Sequence, residues 1–196
     1  MKKLSIYLFL VLFSFSAPSF ADDIRDFQIE GISIGDSLLD YFSEEEINNF
    51  ALERFPKDDF VTVTVFSEEF VDYNAMQFNF KPNDSTYILH GVIGVILYEN
   101  NIKSCYQKMD EIVDNLSSVL KNFHKVDHGR LNNPVGADPY GGTYDLVTFD
   151  KNKSGKSERV QVSCNDWTEK SGILDSVKVE IYSKELAYFI DIIAYN

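Results

Sequence analysis

The chain has 196 residues, with 31 Asp and Glu against 18 Lys and Arg and a formal net charge of -13 at pH 7. A surface of that sign repels phosphate backbones and anionic lipid headgroups, which excludes nucleic acid as a partner. At this length, with 44% hydrophobic residues, a real core can be buried, so neither metal nor cofactor is needed merely to fold.

The chain opens with Lys2 and Lys3, an apolar run from Leu4 to Ala17, and Ser19-Phe20-Ala21 before Asp22. A basic start, an apolar centre and a small-x-small end are the signature of a secretory signal peptide, here 1–21, with a mature chain of 22–196 as one domain. The run falls short of the ~20 apolar residues that a bilayer span needs, and Ser14, Ser16 and Pro18 interrupt its end. No stable membrane insertion is therefore expected after cleavage, and a periplasmic or secreted address is. Asp22, not Cys, follows the cut, so the lipid-attachment cysteine of a lipoprotein is missing. Loss of Lys2 and Lys3 takes the mature charge to -15.

Beyond the leader, Gly31-Ile32-Ser33-Ile34-Gly35-Asp36-Ser37 leads into a first helical region, with Asp36 or Ser37 as its cap and Leu38, Leu39, Tyr41 and Phe42 as its apolar face. Ser43-Glu44-Glu45-Glu46 matches a capping box and predicts a second helix running to about Arg54, closed by Pro56. Apolar alternation then predicts strands at Val61–Val65 and Met76–Phe80. Tyr87 to Tyr98 reads as a central strand in which Gly91 and Gly94 mark a bulge or close packing. Ile102, Cys105, Met109, Ile112, Leu116, Val119 and Phe123 recur every three or four residues, the stripe of a helix facing a sheet.

His124 to Gly142, rich in Gly, Pro, Asn and Asp, reads as a long surface loop. Three further strands follow at about 143–149, 158–166 and 174–182, with turns at Lys153-Ser154-Gly155 and Lys170-Ser171-Gly172. Ser183 to Tyr195 closes the chain as a short helix. The expected fold is α+β, an antiparallel sheet with helices packed on it, in which one helix-plus-three-strand unit occurs twice in tandem.

Cys105 and Cys164, the two cysteines of the chain, predict a disulfide in an oxidising compartment, because neither stands in a C-x-x-C redox motif. Other letter patterns fail on inspection. His124 and His128 have the four-residue spacing of a zinc-binding helix, but the Glu of the H-E-x-x-H signature is missing. His90, alone in an apolar strand, reads as a hydrogen-bonded core residue. Asp150-Lys151-Asn152-Lys153-Ser154-Gly155 resembles half a calcium loop, but its twelfth position is Gln161 and it joins strands. Ser154-Gly155-Lys156-Ser157 ends like a phosphate loop whose first glycine is replaced by Asp150. Gly31-Ile32-Ser33-Ile34-Gly35 has the letters of a nucleophile elbow without a preceding strand. No catalytic, metal or cofactor set is expected. Tyr140, beside Gly141-Gly142, and Trp167, beside Asn165 and Asp166, are the candidate binding aromatics.

The run Asp23 to Ser43, with Ile34-Gly35-Asp36-Ser37-Leu38-Leu39-Asp40-Tyr41-Phe42-Ser43 at its centre, resembles a family of small exported proteins of marine alphaproteobacteria. The resemblance covers the N-terminal fifth, with a looser echo around Cys105 and in Tyr182-Ser183-Lys184-Glu185. It implies export and supplies no activity, ligand or catalytic residue. The order of elements is also similar to that of beta-lactamase inhibitor proteins and small outer-membrane assembly lipoproteins, an analogy of fold that implies binding. The reading that follows is a soluble periplasmic binding or interaction protein, docking another protein or an envelope component through its sheet and the 124–142 loop. The alternatives are a hydrolase or small-ligand protein whose site is assembled from scattered residues, and a structural envelope protein.

Overall fold

The alternation read from the sequence becomes one antiparallel sheet of eight strands: β1 (Ala51–Arg54), β2 (Val61–Val65), β3 (Ala75–Phe80), β4 (Gly91–Tyr98), β5 (His124–Asn132), β6 (Thr143–Asp150), β7 (Arg159–Asp166) and β8 (Asp175–Tyr182). Their spatial order is β1-β2-β3-β4-β8-β7-β6-β5. Among the described residues three α-helices accompany them: α1 (Glu44–Asn49), α2 (Ile102–Val119) and α3 (Lys184–Tyr188), the last continuing into a π-helical turn, Phe189–Ile193. These come from a computed structural model that describes residues 23–99, 101–133, 140–153 and 157–194. The leader 1–21, the end of the closing helix at Tyr195 and the turn residues 154–156 lie outside the described residues. Among the described residues no helix is long and apolar enough to cross a membrane.

Successive residues of a strand point to opposite faces, and the two faces of this sheet bury different things. One carries Val63, Phe78, Val92, Phe149, Val162 and Val179 into the main core. The buried stripe of α2, Cys105, Met109 and Val113, closes over it, with the helix lying against β7 and β8. Ile24, Ile32, Leu38 and Ile47 from the N-terminal segment close the remainder of the same core. The opposite face buries a smaller cluster in which Ala75, Ile93, Val95 and Tyr182 pack with Leu186 and Phe189 of the C-terminal segment. Gly91 and Gly94 mark close packing and no bulge: a Cβ on Gly94 would strike the Tyr73 ring, and one on Gly91 would strike Asn79 and Leu186.

The capping box forms as expected, with Glu46 N–H donating to Ser43 Oγ at 3.3 Å and Ser43 N–H donating to Glu46 Oε2 at 2.8 Å. The helix it starts is shorter than expected, however. It ends at Asn49, and residues 51–54 are strand β1, paired residue for residue with Val61–Thr64. A six-residue helix gains little from its own hydrogen bonds, so the ladder offered by β2 wins. A second correction concerns 124–142, expected as a loop: 124–132 form β5, the far edge of the sheet, and 134–139 lie outside the described residues. The glycine that suggested a loop sits at a β-bulge between Asp127 and Gly129, where Gly129 takes φ +62°. Each helical region is thus followed by four strands, not three. Two smaller differences are that 38–40 form a single 3-10 turn capped by Ser37, and that α2 ends at Val119.

The disulfide between Cys105 and Cys164 is present, with a Cα–Cα distance of 5.9 Å across a separation of 59 residues. It ties the first turns of α2 to β7 beneath the core. Reducing it is expected to lower the unfolding free energy by about 4 kcal/mol in the chain-entropy model, read as a drop in the urea midpoint with and without reductant. The intact mass of the untreated protein should be two hydrogens below that of the reduced one.

Candidate functional site

Four places in the fold gather residues with chemistry, and three of them are already committed to holding the fold. Ser33 is buried, and its hydroxyl donates to the backbone carbonyls of Phe27 (2.7 Å) and Arg25 (3.1 Å). The apparent nucleophile elbow is therefore a turn tied to the segment before it, its hydroxyl engaged by backbone and the nearby Asp36 carboxylate accepting the Ser33 backbone N–H at 2.9 Å.

His90, just ahead of β4, is a largely buried residue, with 18% of its side chain exposed. Its ring meets the edge of Phe60 at 5.1 Å, and Nδ1 lies 3.1 Å from Ser183 Oγ and 3.8 Å from a Glu185 oxygen. A Ser–His–carboxylate relay needs its two partners on opposite ring nitrogens, whereas both oxygens here reach the same one. Ser183 is instead the cap of α3, accepting from the Leu186 N–H at 3.2 Å. A cavity of about 530 Å³ opens beside it, lined by Asp58, Asp84, Lys81 and Tyr188, and the Lys81 ammonium is paired with Glu185 at 2.8 Å. Burial, reinforced by Lys81, holds the imidazole below its ordinary 6.5 although Glu185 pulls it up. The unfolded chain therefore takes up the proton more readily, so stability from this site is complete above the unfolded value and is lost as pH falls through the lowered native one. His90→Gln should accordingly lose less stability than the parent protein between about pH 7 and about pH 5, compared by urea unfolding at both values.

His124 and His128 fall on β5 and not on a helix end, so their four-residue spacing has no helical meaning. They line a shallow depression of about 490 Å³ with Leu146, Thr148, Asp150 and Arg159. His128, the extra residue of the bulge, has Nε2 3.1 Å from Thr148 Oγ1, which donates to Asp150 at 3.1 Å. Arg159 in turn donates to Asp150 at 2.9 Å and to Asp191 of the C-terminal segment at 3.0 and 2.8 Å. Burial by itself would lower the guanidinium, and its hydrogen bonds to Asp191 and Asp150 overcome that and raise it, so it stays charged. With both carboxylates engaged, no metal-ligating set of three or more His, Cys, Asp or Glu exists among the described residues. Asp150, the first letter of the apparent calcium loop, is likewise spent on Arg159. The network is a clasp between β6, β7 and the chain's end. Arg159→Met strands the buried Asp150 carboxylate and should cost about 3 kcal/mol in urea unfolding, with Asp150→Asn in the same chain recovering part of it.

The fourth place is the end of the sheet where Tyr140 and Trp167 stand. Thr143 pairs with Asp166, so the turn carrying Tyr140 and the one starting at Trp167 are neighbouring hairpin tips. Tyr140 is 57% exposed and Trp167 half-buried, its backbone N–H donating to an Asp175 carboxylate oxygen at 3.0 Å. Ile173 and Leu174 are exposed in the same β7–β8 tip, and the β2–β3 tip at this end adds Phe66 (69% exposed) and Val71 (85%). Antiparallel pairing brings all three tips to one end of the sheet. The Phe66 and Val71 part went unread in the sequence, where only Pro- and Gly-poor turn letters around Ser67-Glu68-Glu69 mark it. Also unread was a row of buried polar side chains, including Ser163, Asn165, Ser176 and Glu180, on the sheet face away from α2. No protein-family model, curated protein or solved structure matches the chain.

Proposed function

We propose that the protein is an exported binding protein that docks another protein of the cell envelope through the hairpin-tip end of its sheet. The leader 1–21 directs it to the periplasm or medium, and the mature chain 22–196 works there as one domain, built from a helix and four strands used twice. The observation that carries this reading is that Phe66, Val71, Tyr140, Ile173 and Leu174, all exposed, stand on three hairpin tips at one end of the sheet, the β7–β8 and β5–β6 tips side by side and the β2–β3 tip beyond β4. Apolar side chains scattered singly on a surface are ordinary, whereas a cluster rimmed by polar residues marks an interaction site. Aromatics at such a centre supply large contact area at low entropic cost. The buried disulfide and the clasped polar networks keep the scaffold rigid, so docking loses little conformational freedom.

A photoreactive phenylalanine analogue placed at position 140 or 173 in the exporting cell should yield a discrete adduct. The same group at position 110, on the exposed side of α2, should not. The chain in the adduct should begin at Asp22. Absence of an adduct from both tip positions would overturn the docking reading.

A further inference from the structure

Beside the exposed tips the surface dips into a groove of about 270 Å³, where the end of β4, the start of α2 and the β7–β8 tip meet. Its walls are apolar and aromatic, Tyr98, Ile102 and Trp167, and its rim carries three carboxylates, Asp166, Glu169 and Asp175. No lysine or arginine lines it, and among the described residues none of these carboxylates is ion-paired. Arg130, whose charge Asp166 supports, is already paired with Asp145 at 3.1 Å and donates to the Tyr106 hydroxyl at 2.6 Å. Asp175 is raised from its ordinary value by burial and by its neighbour Asp166, although the Trp167 backbone N–H pulls the other way. Asp166 and Asp175, neighbours across β7 and β8, thus stand together at the rim of the groove with no ion pair to either among the described residues.

Aromatic faces attract cations, and a planar guanidinium can lie on an indole while pairing with carboxylates at its edge. We infer that this groove receives a basic side chain, an arginine above all, of the docked protein, so that the partner presents a basic segment to the hairpin-tip end. The inference rests on the docking reading and names the chemistry of the partner. Two other depressions already hold a cation of this chain: Lys81, paired with Glu185, in the one beside His90, and Arg159, paired with Asp150 and Asp191, in the one beside His128.

Trp167 is the single tryptophan of the chain, which makes the groove its own reporter. The mature, oxidised protein is titrated with the blocked tetrapeptide acetyl-Gly-Arg-Leu-Gly-amide and with its citrulline counterpart, following tryptophan fluorescence. The arginine peptide should give a saturable change, and the citrulline peptide should bind about tenfold more weakly. Asp166→Asn with Asp175→Asn should cost the arginine peptide about tenfold, and the exposed Glu169→Gln alone about threefold, which keeps the test open if the double variant misfolds. Asp110→Asn with Asp114→Asn removes the same charge from the exposed side of α2 and should leave binding within about twofold. Equal binding of the two peptides, an equal loss in the α2 variant, or no saturable change would each overturn the inference. If the position-140 adduct persists while the groove fails these tests, docking stands without the basic segment; if the adduct is absent, the docking reading itself has failed.

Discussion

Everything in this fold hangs on the seam between β4 and β8. These strands end the first and second runs of four, and they pair antiparallel from Gly91 with Tyr182 through to Tyr98 with Asp175. Without that seam there would be two four-stranded sheets, each with an open edge at its inner side. The seam is buttressed on one face by α2, which lies against β7, β8 and β4, and on the other by the C-terminal segment through Leu186 and Phe189. Because α2 connects β4 to β5, the helix that covers the seam also carries the chain from one half to the other. The disulfide fixes the helix at its start, so the crossing cannot slide.

That arrangement decides which chemistry is free. Side chains that look reactive in isolation lie close to the seam or the C-terminal clasp and are used to hold them. His90 and Ser183 join the start of β4 to the cap of α3, and Arg159 joins β6 and β7 to Asp191. Glu180, buried on the same face, accepts from the hydroxyls of Tyr182 and Ser163. Buried charges and hydroxyls must find partners, and here those partners come from the protein itself. The hairpin tips, where backbone leaves the ladder and the core ends, instead carry exposed apolar side chains such as Phe66, Val71 and Ile173. A rigid sheet that holds adaptable tips is a scaffold suited to recognition.

Much of this was legible from local pattern. Cys105 and Met109 of the predicted stripe face the sheet, joined by Val113, while Ser43 and Glu46 form their box and Val61–Val65 is a strand to the residue. Two stretches were misread for the same reason. Leu52 in β1 and Val126 in β5 belong to edge strands with one neighbour each, so their sequences need little apolar alternation, and Gly129 could be read as loop punctuation when it serves a bulge. The pairing that makes them strands is supplied by β2 and β6, each the next strand along the chain across a turn.

The candidate site divides in the same way. Tyr140 and Trp167 stand out in the sequence as aromatics among turn formers, and the cysteine pair stands out by number. That Tyr140 and Trp167 belong to adjacent tips, that Phe66 and Val71 join them, and that Asp166 and Asp175 share a groove with Tyr98 were decided only in three dimensions. Local periodicity, capping and cysteine count are written in consecutive residues, so the sequence by itself determined the helix stripes, the inner strands and the crosslink. Strand order and the meeting of distant tips arise from pairing between segments up to a hundred residues apart, whose energies depend on neighbours that no local window contains, and these only the tertiary structure decided.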